Sequence, residues 1–180
     1  MWIHSIRLRN FKSYDNAQFT FPEPKDGRNI ILIGAQNGHG KTTLLEAVYL
    51  CLYDKDAVTH LQRAGLNSGE NGYSNFLQSA LHHQAASRFG QYLMELEIEI
   101  RQNRPHGQCG LRIRRKWHFD HHGRYREEFN ELMLYSSDKG SLQPVSGEEI
   151  QDYLEDYGLP SEYSTFFFFD GEQLVNIAKQ

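Results

Sequence analysis

The 180-residue sequence has only two cysteines, Cys51 and Cys109, and they lie 58 positions apart. That spacing makes neither a metal-binding pair nor a disulfide framework, so a reducing compartment is expected and both thiols read as small core residues. Long apolar runs are missing too: none approaches the roughly 18 residues needed to cross a bilayer, and no membrane partner is expected. Arg7, Arg9 and Lys12 interrupt any apolar stretch after Met1, so no secretory leader is read and a cytoplasmic location is expected. The sequence has no internal repeat, no low-complexity linker, and no defensible Ser/His/Asp or Cys/His nucleophile arrangement. Against these absences stands a hydrophobic content of 39%, enough in a chain of this length to fill one core.

The net charge of −4 hides a polarity along the chain. Residues Arg101 to Arg126 hold eight basic side chains and one acid, whereas Glu127 to Glu172 hold twelve acids and one base. Such asymmetry suits two stretches facing different partners, and equally a basic strand lying against an acidic neighbour.

Residues 2–9 and 17–21 alternate as two paired strands, followed by a Pro-rich turn at 22–28. Asn29 to Ile33 is a continuous apolar run suited to a buried strand. Leu44, Leu45, Val48 and Leu52 recur at helical spacing and end near Asp54; 65–72 reads as loop and 74–83 as a short helix. Strict alternation of Leu, Glu and Ile through residues 92–100 predicts a half-buried strand, with two more around 111–119 and 125–135. Residues 147–157 carry a helical pattern, and the chain ends in an aromatic run and a helix from Glu172.

The strongest chemical signal is Gly34-Ala-Gln-Asn37-Gly38-His39-Gly40-Lys41-Thr42-Thr43, between the apolar run and the helix. This is a Walker A loop in its proper context. Its glycines let successive backbone N–H groups turn toward phosphate oxygens, and the helix starting at Lys41 adds the positive end of its dipole. Lys41 is placed against the β- and γ-phosphates of ATP, and the Thr42 hydroxyl completes the coordination of Mg²⁺. The strict pattern asks for glycine where Ala35 stands, which weakens the match if that position needs a positive φ. Asn37, Gly38, His39, Gly40, Lys41, Thr42 and Thr43 are the expected nucleotide-binding positions.

Ile6-Arg-Leu-Arg-Asn10-Phe11-Lys12-Ser13-Tyr14, the Walker A loop and Leu44-Leu-Glu-Ala47 together resemble the N-terminal half of an SMC/SbcC-type ABC ATPase head. At the other end Phe166-Phe-Phe-Phe-Asp170-Gly171-Glu172-Gln173 is similar to the corresponding element of the DndD family, the ATPases of bacterial DNA phosphorothioation. The resemblance implies an α/β P-loop fold with mixed and antiparallel strands around the Walker A helix. It implies a lobe over residues 1–171, from the Walker A loop to the Q-loop, and over 172–180 the start of a helix leading into a coiled coil.

The same resemblance implies that Lys12 approaches the nucleotide phosphates and that Asn37 lies near the γ-phosphate. Relatives carry a Q-loop glutamine, which senses Mg²⁺ and the attacking water, where Asp170 stands here; Gln173 follows three residues later. Both stay candidates, with Asp170 ahead because a carboxylate is a good ligand for a hard cation. Taken alone, Phe166 to Asp170 could be a Walker B strand with Glu172 as general base, but Gly171 separates acids that ABC heads keep adjacent. The Walker B and signature motifs belong, in the family, to a C-terminal half beyond the coiled coil.

Arg112, Arg114 and Lys116 share one face of their strand, within reach of a DNA backbone or simply solvated. His82-His83 and Asp120-His121-His122 read as surface residues rather than metal ligands. Phe166 to Phe169 reads as a buried strand, with base stacking the lesser alternative.

The expectation is an ATP-binding half-head. Joined to its C-terminal half and paired head to head in a homodimer, it would hydrolyse ATP to drive modification of double-stranded DNA with other phosphorothioation proteins. An SMC-like ATPase of DNA repair or phage defence, and a nucleotide-gated clamp or scaffold with incidental hydrolysis, are the alternatives. The fragment alone is expected to be inactive.

Overall fold

The computed structural model describes residues 1–28, 30–63, 72–84, 92–136, 141–146, 149–157 and 159. The expected helix from Glu172 and the aromatic run with Asp170 and Gln173 lie outside these residues.

Six strands form one sheet in the order β2-β1-β3-β4-β5-β6: β1 (Trp2–Phe11), β2 (Tyr14–Thr20), β3 (Leu93–Arg104), β4 (Gly107–Phe119), β5 (Tyr125–Ser136) and β6 (Ser141–Val145). Every pairing among them is antiparallel. Among the described residues four helices accompany the sheet: α1 (Lys41–Tyr53), α2 (Lys55–Arg63), α3 (Tyr73–Ala80) and α4 (Ile150–Asp156). Both α2 and β6 fall where the sequence pattern predicts no element.

Alternation along the strands sorts the two faces of the sheet. Met94, Leu96, Ile98 and Ile100 of β3 and Leu111, Ile113 and Trp117 of β4 point to the buried side and meet α1. From Leu44 to Tyr53 only Leu45 of α1 is not fully buried, so this helix is apolar nearly all round, as a helix enclosed by neighbours must be. Cys51 lies within that core, where burial pushes its thiol up to about 12; Cys109 is only half-buried.

The opposite face carries a charge ladder. Glu97 stands between Arg7 of β1 and Arg114 of β4, and Arg114 in turn stands opposite Glu131 of β5; Arg9, Glu95 and Lys116 form a parallel row, as do Ser5, Glu99 and Arg112. Sign alternates from strand to strand, which is the cross-strand arrangement that stabilises a sheet. The basic residues of β4 are therefore paired chiefly with Glu95, Glu97 and Glu99 of β3, and with the acidic segment that follows through Glu131.

The apolar run before the Walker A loop departs from expectation. Residues 30–33 form no strand among the described residues, and Ile30 and Leu32 are 89% and 92% exposed. A run apolar on both sides needs a neighbour on each edge and face to be buried, and the strands described here are paired with one another in the six-stranded sheet.

Candidate nucleotide-phosphate site

The Walker A loop reaches α1 through two glycines in the left-handed region, Gly38 at φ 80° and Gly40 at φ 85°. Ala35 and Gly34 are not in that region, so alanine in place of the pattern's first glycine imposes no backbone strain. Gly40 is the N-cap, and the first intrahelical bond runs from Leu44 N–H to the Gly40 carbonyl at 2.9 Å. The N–H groups of Lys41, Thr42 and Thr43 thus have no partner in the helix ladder, and no acid occupies the first turn. Lys41 Nζ folds back to donate to the carbonyls of Ala35 at 2.9 Å and Gln36 at 3.1 Å. The His39 ring pairs with the Asn37 carbonyl at 3.1 Å, and His39 N–H donates to the Gln36 carbonyl at 3.2 Å.

These features suit the phosphates of ATP. A β-carbon at Gly38 would meet nothing within 4 Å, so the backbone is open to close approach by a ligand. The exposed ammonium of Lys41 sits over the loop that would hold phosphates, and Thr42 is exposed beside it with a hydroxyl able to ligate Mg²⁺.

The turn between β1 and β2 closes over this site. Tyr14 donates through its hydroxyl to the Gly40 carbonyl at 3.2 Å, and Lys12 Nζ lies 2.6 Å from the Glu46 carboxylate on α1. Lys12, Asn37, Gly38, His39, Gly40, Lys41, Thr42 and Thr43 therefore belong to one neighbourhood around the start of α1. Beside Lys41 opens an apolar cavity of about 920 Å³, lined among others by Trp2, Phe21, Ile31, Ile33 and Leu44.

Arg112, Arg114 and Lys116 sit elsewhere, on the ladder face. Arg112 Nε donates to Glu99 at 3.0 Å, Arg114 Nε to Glu97 at 2.7 Å and Lys116 Nζ to Glu131 at 2.8 Å. They are ion-paired and not a bare basic stripe. His82 is buried, not on the surface as expected: its ring stacks on His83 at 4.6 Å and its Nδ1 accepts from Gln84 N–H at 3.1 Å.

Two side chains escaped the sequence reading. Arg115 shares the apolar face of β4 with Ile113 and Trp117 and reaches the far end of α1. There its guanidinium donates to the carbonyls of Cys51 at 2.7 Å and Leu52 at 3.3 Å and to Asp54 at 3.0 Å. A cation on the last carbonyls of a helix is favourably placed against its dipole. Its one sequence signal is position, an arginine in phase with Leu111, Ile113, Trp117 and Phe119. The other is Glu46, a buried acid on an otherwise apolar helix.

The AAA domain family model matches residues 5–176. Three curated proteins with similar stretches are each described as DNA replication and repair protein RecF. That of Acetivibrio thermocellus is 32% identical over 77 residues, 43% of this chain and 20% of that protein. That of Chlorobium phaeovibrioides is 39% identical over 59 residues, 33% of this chain and 15% of that protein. That of Shewanella piezotolerans is 30% identical over 106 residues, 57% of this chain and 27% of that protein. The matched stretches span about a fifth of the length of these relatives.

Proposed function

The chain belongs to the AAA domain family, as the N-terminal head region of an SMC/RecF-like ABC ATPase, and from this premise we propose that it binds Mg·ATP and, within a complete head, hydrolyses it. The observation that carries the proposal is the open N-terminus of α1 beneath the Walker A loop, with the Lys41 ammonium exposed over it. Lys41 neutralises the terminal phosphates, the N–H groups of Gly38 to Thr43 hold phosphate oxygens, and Thr42 takes the metal. Asn37 lies near the γ-phosphate, and Asp170 or Gln173 attends the metal and water from the Q-loop. ATP and Mg²⁺ supply the phosphoanhydride and the charge neutralisation of its cleavage.

The partner that completes the head is the protein's own C-terminal half, with residues 172–180 leading toward it. The exposed Ile30 and Leu32 support this, because an exposed apolar segment gains most from neighbours supplied by the rest of the protein. A head-to-head homodimer then closes on nucleotide.

The process served is a transaction on double-stranded DNA. Similarity to the repair protein RecF favours a DNA-repair role. The Phe166 to Gln173 element favours a second reading, sulfur modification of DNA with other phosphorothioation proteins. Contact with DNA is assigned to Arg112, Arg114 and Lys116, each of whose side chains stays about a quarter exposed beside its carboxylate.

The test is Lys41→Ala in the complete protein, measured as ATP turnover and nucleotide affinity. Hydrolysis is expected to vanish and binding to weaken; near-normal turnover sinks the assignment of the loop. The 180-residue chain alone is expected to show no turnover until the C-terminal half is added. Robust turnover linear in its own concentration would instead make Asp170 and Glu172 a self-sufficient catalytic pair.

A further inference from the structure

Glu46 follows Thr42 by four residues and Thr43 by three, so the three side chains share one face of α1. Its carboxylate is only 6% exposed, and the Lys12 ammonium lies 2.6 Å from it. Lys12 is delivered there by a turn that its surroundings over-determine. Its own φ is 46°, uncommon for a side chain of this length, and its N–H donates to the Ala80 carbonyl at 2.6 Å. Asn10, at φ 53°, donates through Nδ2 to the Leu93 carbonyl at 2.7 Å, while its own carbonyl accepts from His82 N–H at 2.9 Å. On the loop side Tyr14 holds the Gly40 carbonyl, and the ring of Phe76 lies 5.2 Å from the ammonium.

We propose that Glu46 is a positioning residue: its buried carboxylate stations the Lys12 ammonium beside the Thr42 and Thr43 face of α1, so that this cation is in place before nucleotide arrives. The proposal rests on the ATP-binding reading above. A lysine side chain free in solvent loses considerable rotamer entropy when a ligand fixes it, and a cation already fixed by a carboxylate has lost that entropy on folding. Parting Lys12 from Glu46 would also break an ion pair whose carboxylate is buried, which favours retention of the pair when phosphates bind. The carboxylate thus acts through Lys12 and needs no contact with the nucleotide.

The experiment uses the full-length protein with Glu46→Gln, Glu46→Asp, Lys12→Ala and the Glu46→Gln/Lys12→Ala double variant. Two quantities are read: the rate at which an amine-acylating reagent modifies Lys12 without nucleotide, by peptide mass spectrometry, and the dissociation constant for ATP. Glu46→Gln is expected to speed acylation of Lys12 about fivefold and weaken ATP about tenfold, Glu46→Asp to recover part of both, and Glu46→Gln to add less than about twofold once Lys12 is alanine. An equal loss of ATP affinity in the Lys12→Ala background would overturn the proposal, as would unchanged acylation in Glu46→Gln. Should Glu46→Gln fail to fold, the unsubstituted protein still decides: Lys12 must react more slowly than Lys25, whose side chain is 68% exposed, and equal rates refute the pairing. Wild-type protein that binds no ATP would defeat the nucleotide reading, whereas the acylation rates report on Glu46 and Lys12 independently.

Discussion

The hydroxyl of Tyr14 donates to the carbonyl of Gly40 at 3.2 Å, and a β-carbon on Gly40 would lie 2.7 Å from that same hydroxyl oxygen. Gly40 is therefore required twice, by its φ of 85° and by the ring that leans on it. The N-terminus of α1 is thus tied to the β1–β2 turn at two places, the Gly40 carbonyl by Tyr14 and Glu46 by Lys12.

Gly40→Ala is accordingly expected to cost about 1–3 kcal/mol of stability, combining left-handed strain with the clash. Tyr14→Ala removes the tighter of its contacts and leaves the Ser13 hydroxyl at 3.1 Å, so in that background Gly40→Ala should cost less, chiefly the strain. Denaturant unfolding of the two single variants and the double decides it. Strictly additive costs would mean that the contact with Tyr14 carries no energy.

Much of this was legible in the sequence because periodicity reports which face is buried. The Leu, Glu and Ile alternation of residues 92–100 predicts the strand of β3, though Glu97 and Glu99 on its charged face are buried as well, and the Walker A glycines locate the start of α1. What was not legible depends on partners distant in the chain. Asn29 to Ile33 has the composition of a buried strand, but composition cannot say whether strands exist to pair with it. Arg112, Arg114 and Lys116 read as a bare basic stripe until the register sets Glu99, Glu97 and Glu131 beside them. Residues 141–145 contain Pro144 and alternate weakly, so only pairing with β5 makes them a strand. Arg115 and Arg114 are neighbours in sequence and opposite in role, one inside against α1 and one outside on the ladder.

Arg115 anchors the far end of α1, where Asp54 closes the helix at φ 51°. Around it Trp117 Nε1 donates to the Tyr73 hydroxyl at 2.7 Å, and that hydroxyl lies against both Asp54 and Glu128. Burial, reinforced by the charge of Asp54, raises the Tyr73 hydroxyl far above its ordinary range, so it stays a neutral donor. Arg115→Met is expected to cost on the order of 3 kcal/mol, because it takes the donor from two helix carbonyls and the cation from a partly buried carboxylate that keeps the Tyr73 hydroxyl beside it. Arg115→Lys should recover only part, lacking the guanidinium's fork of donors. A denaturation midpoint for Arg115→Met close to that of the parent would refute the anchor.

Acid should weaken the ladder at Glu99. Burial, the largest effect on this carboxyl, raises its pKa, but hydrogen bonds and charge from Arg112 and Arg101 outweigh it and leave the value below 4.5. A carboxyl lowered on folding contributes stability that is complete above its unfolded value and is lost as pH falls through the folded one. Unfolding free energy is therefore expected to decline as pH drops below about 4.5, and less steeply in Glu99→Gln. Parallel pH profiles for the two proteins would remove Glu99 as a source of acid sensitivity.

Charge removal on β4 separates DNA contact from ion pairing alone. Changing Arg112, Arg114 and Lys116 together to glutamine deprives Glu95, Glu97, Glu99 and Glu131 of their β4 cations, so some loss of thermal stability is expected whatever the strand does. DNA binding reads a different quantity. For every phosphate no longer neutralised by a cation, the dependence of log affinity on log salt should flatten by up to about one unit, uniformly across duplex sequences. If the exposed quarter of each side chain meets the backbone, the full-length triple variant binds duplex DNA more weakly and with a shallower slope. Nucleotide affinity should be retained, since the ladder lies on the sheet face opposite α1. A folded triple variant with an unchanged slope would leave these three cations to the ladder alone, their charge balanced by the glutamates beside them.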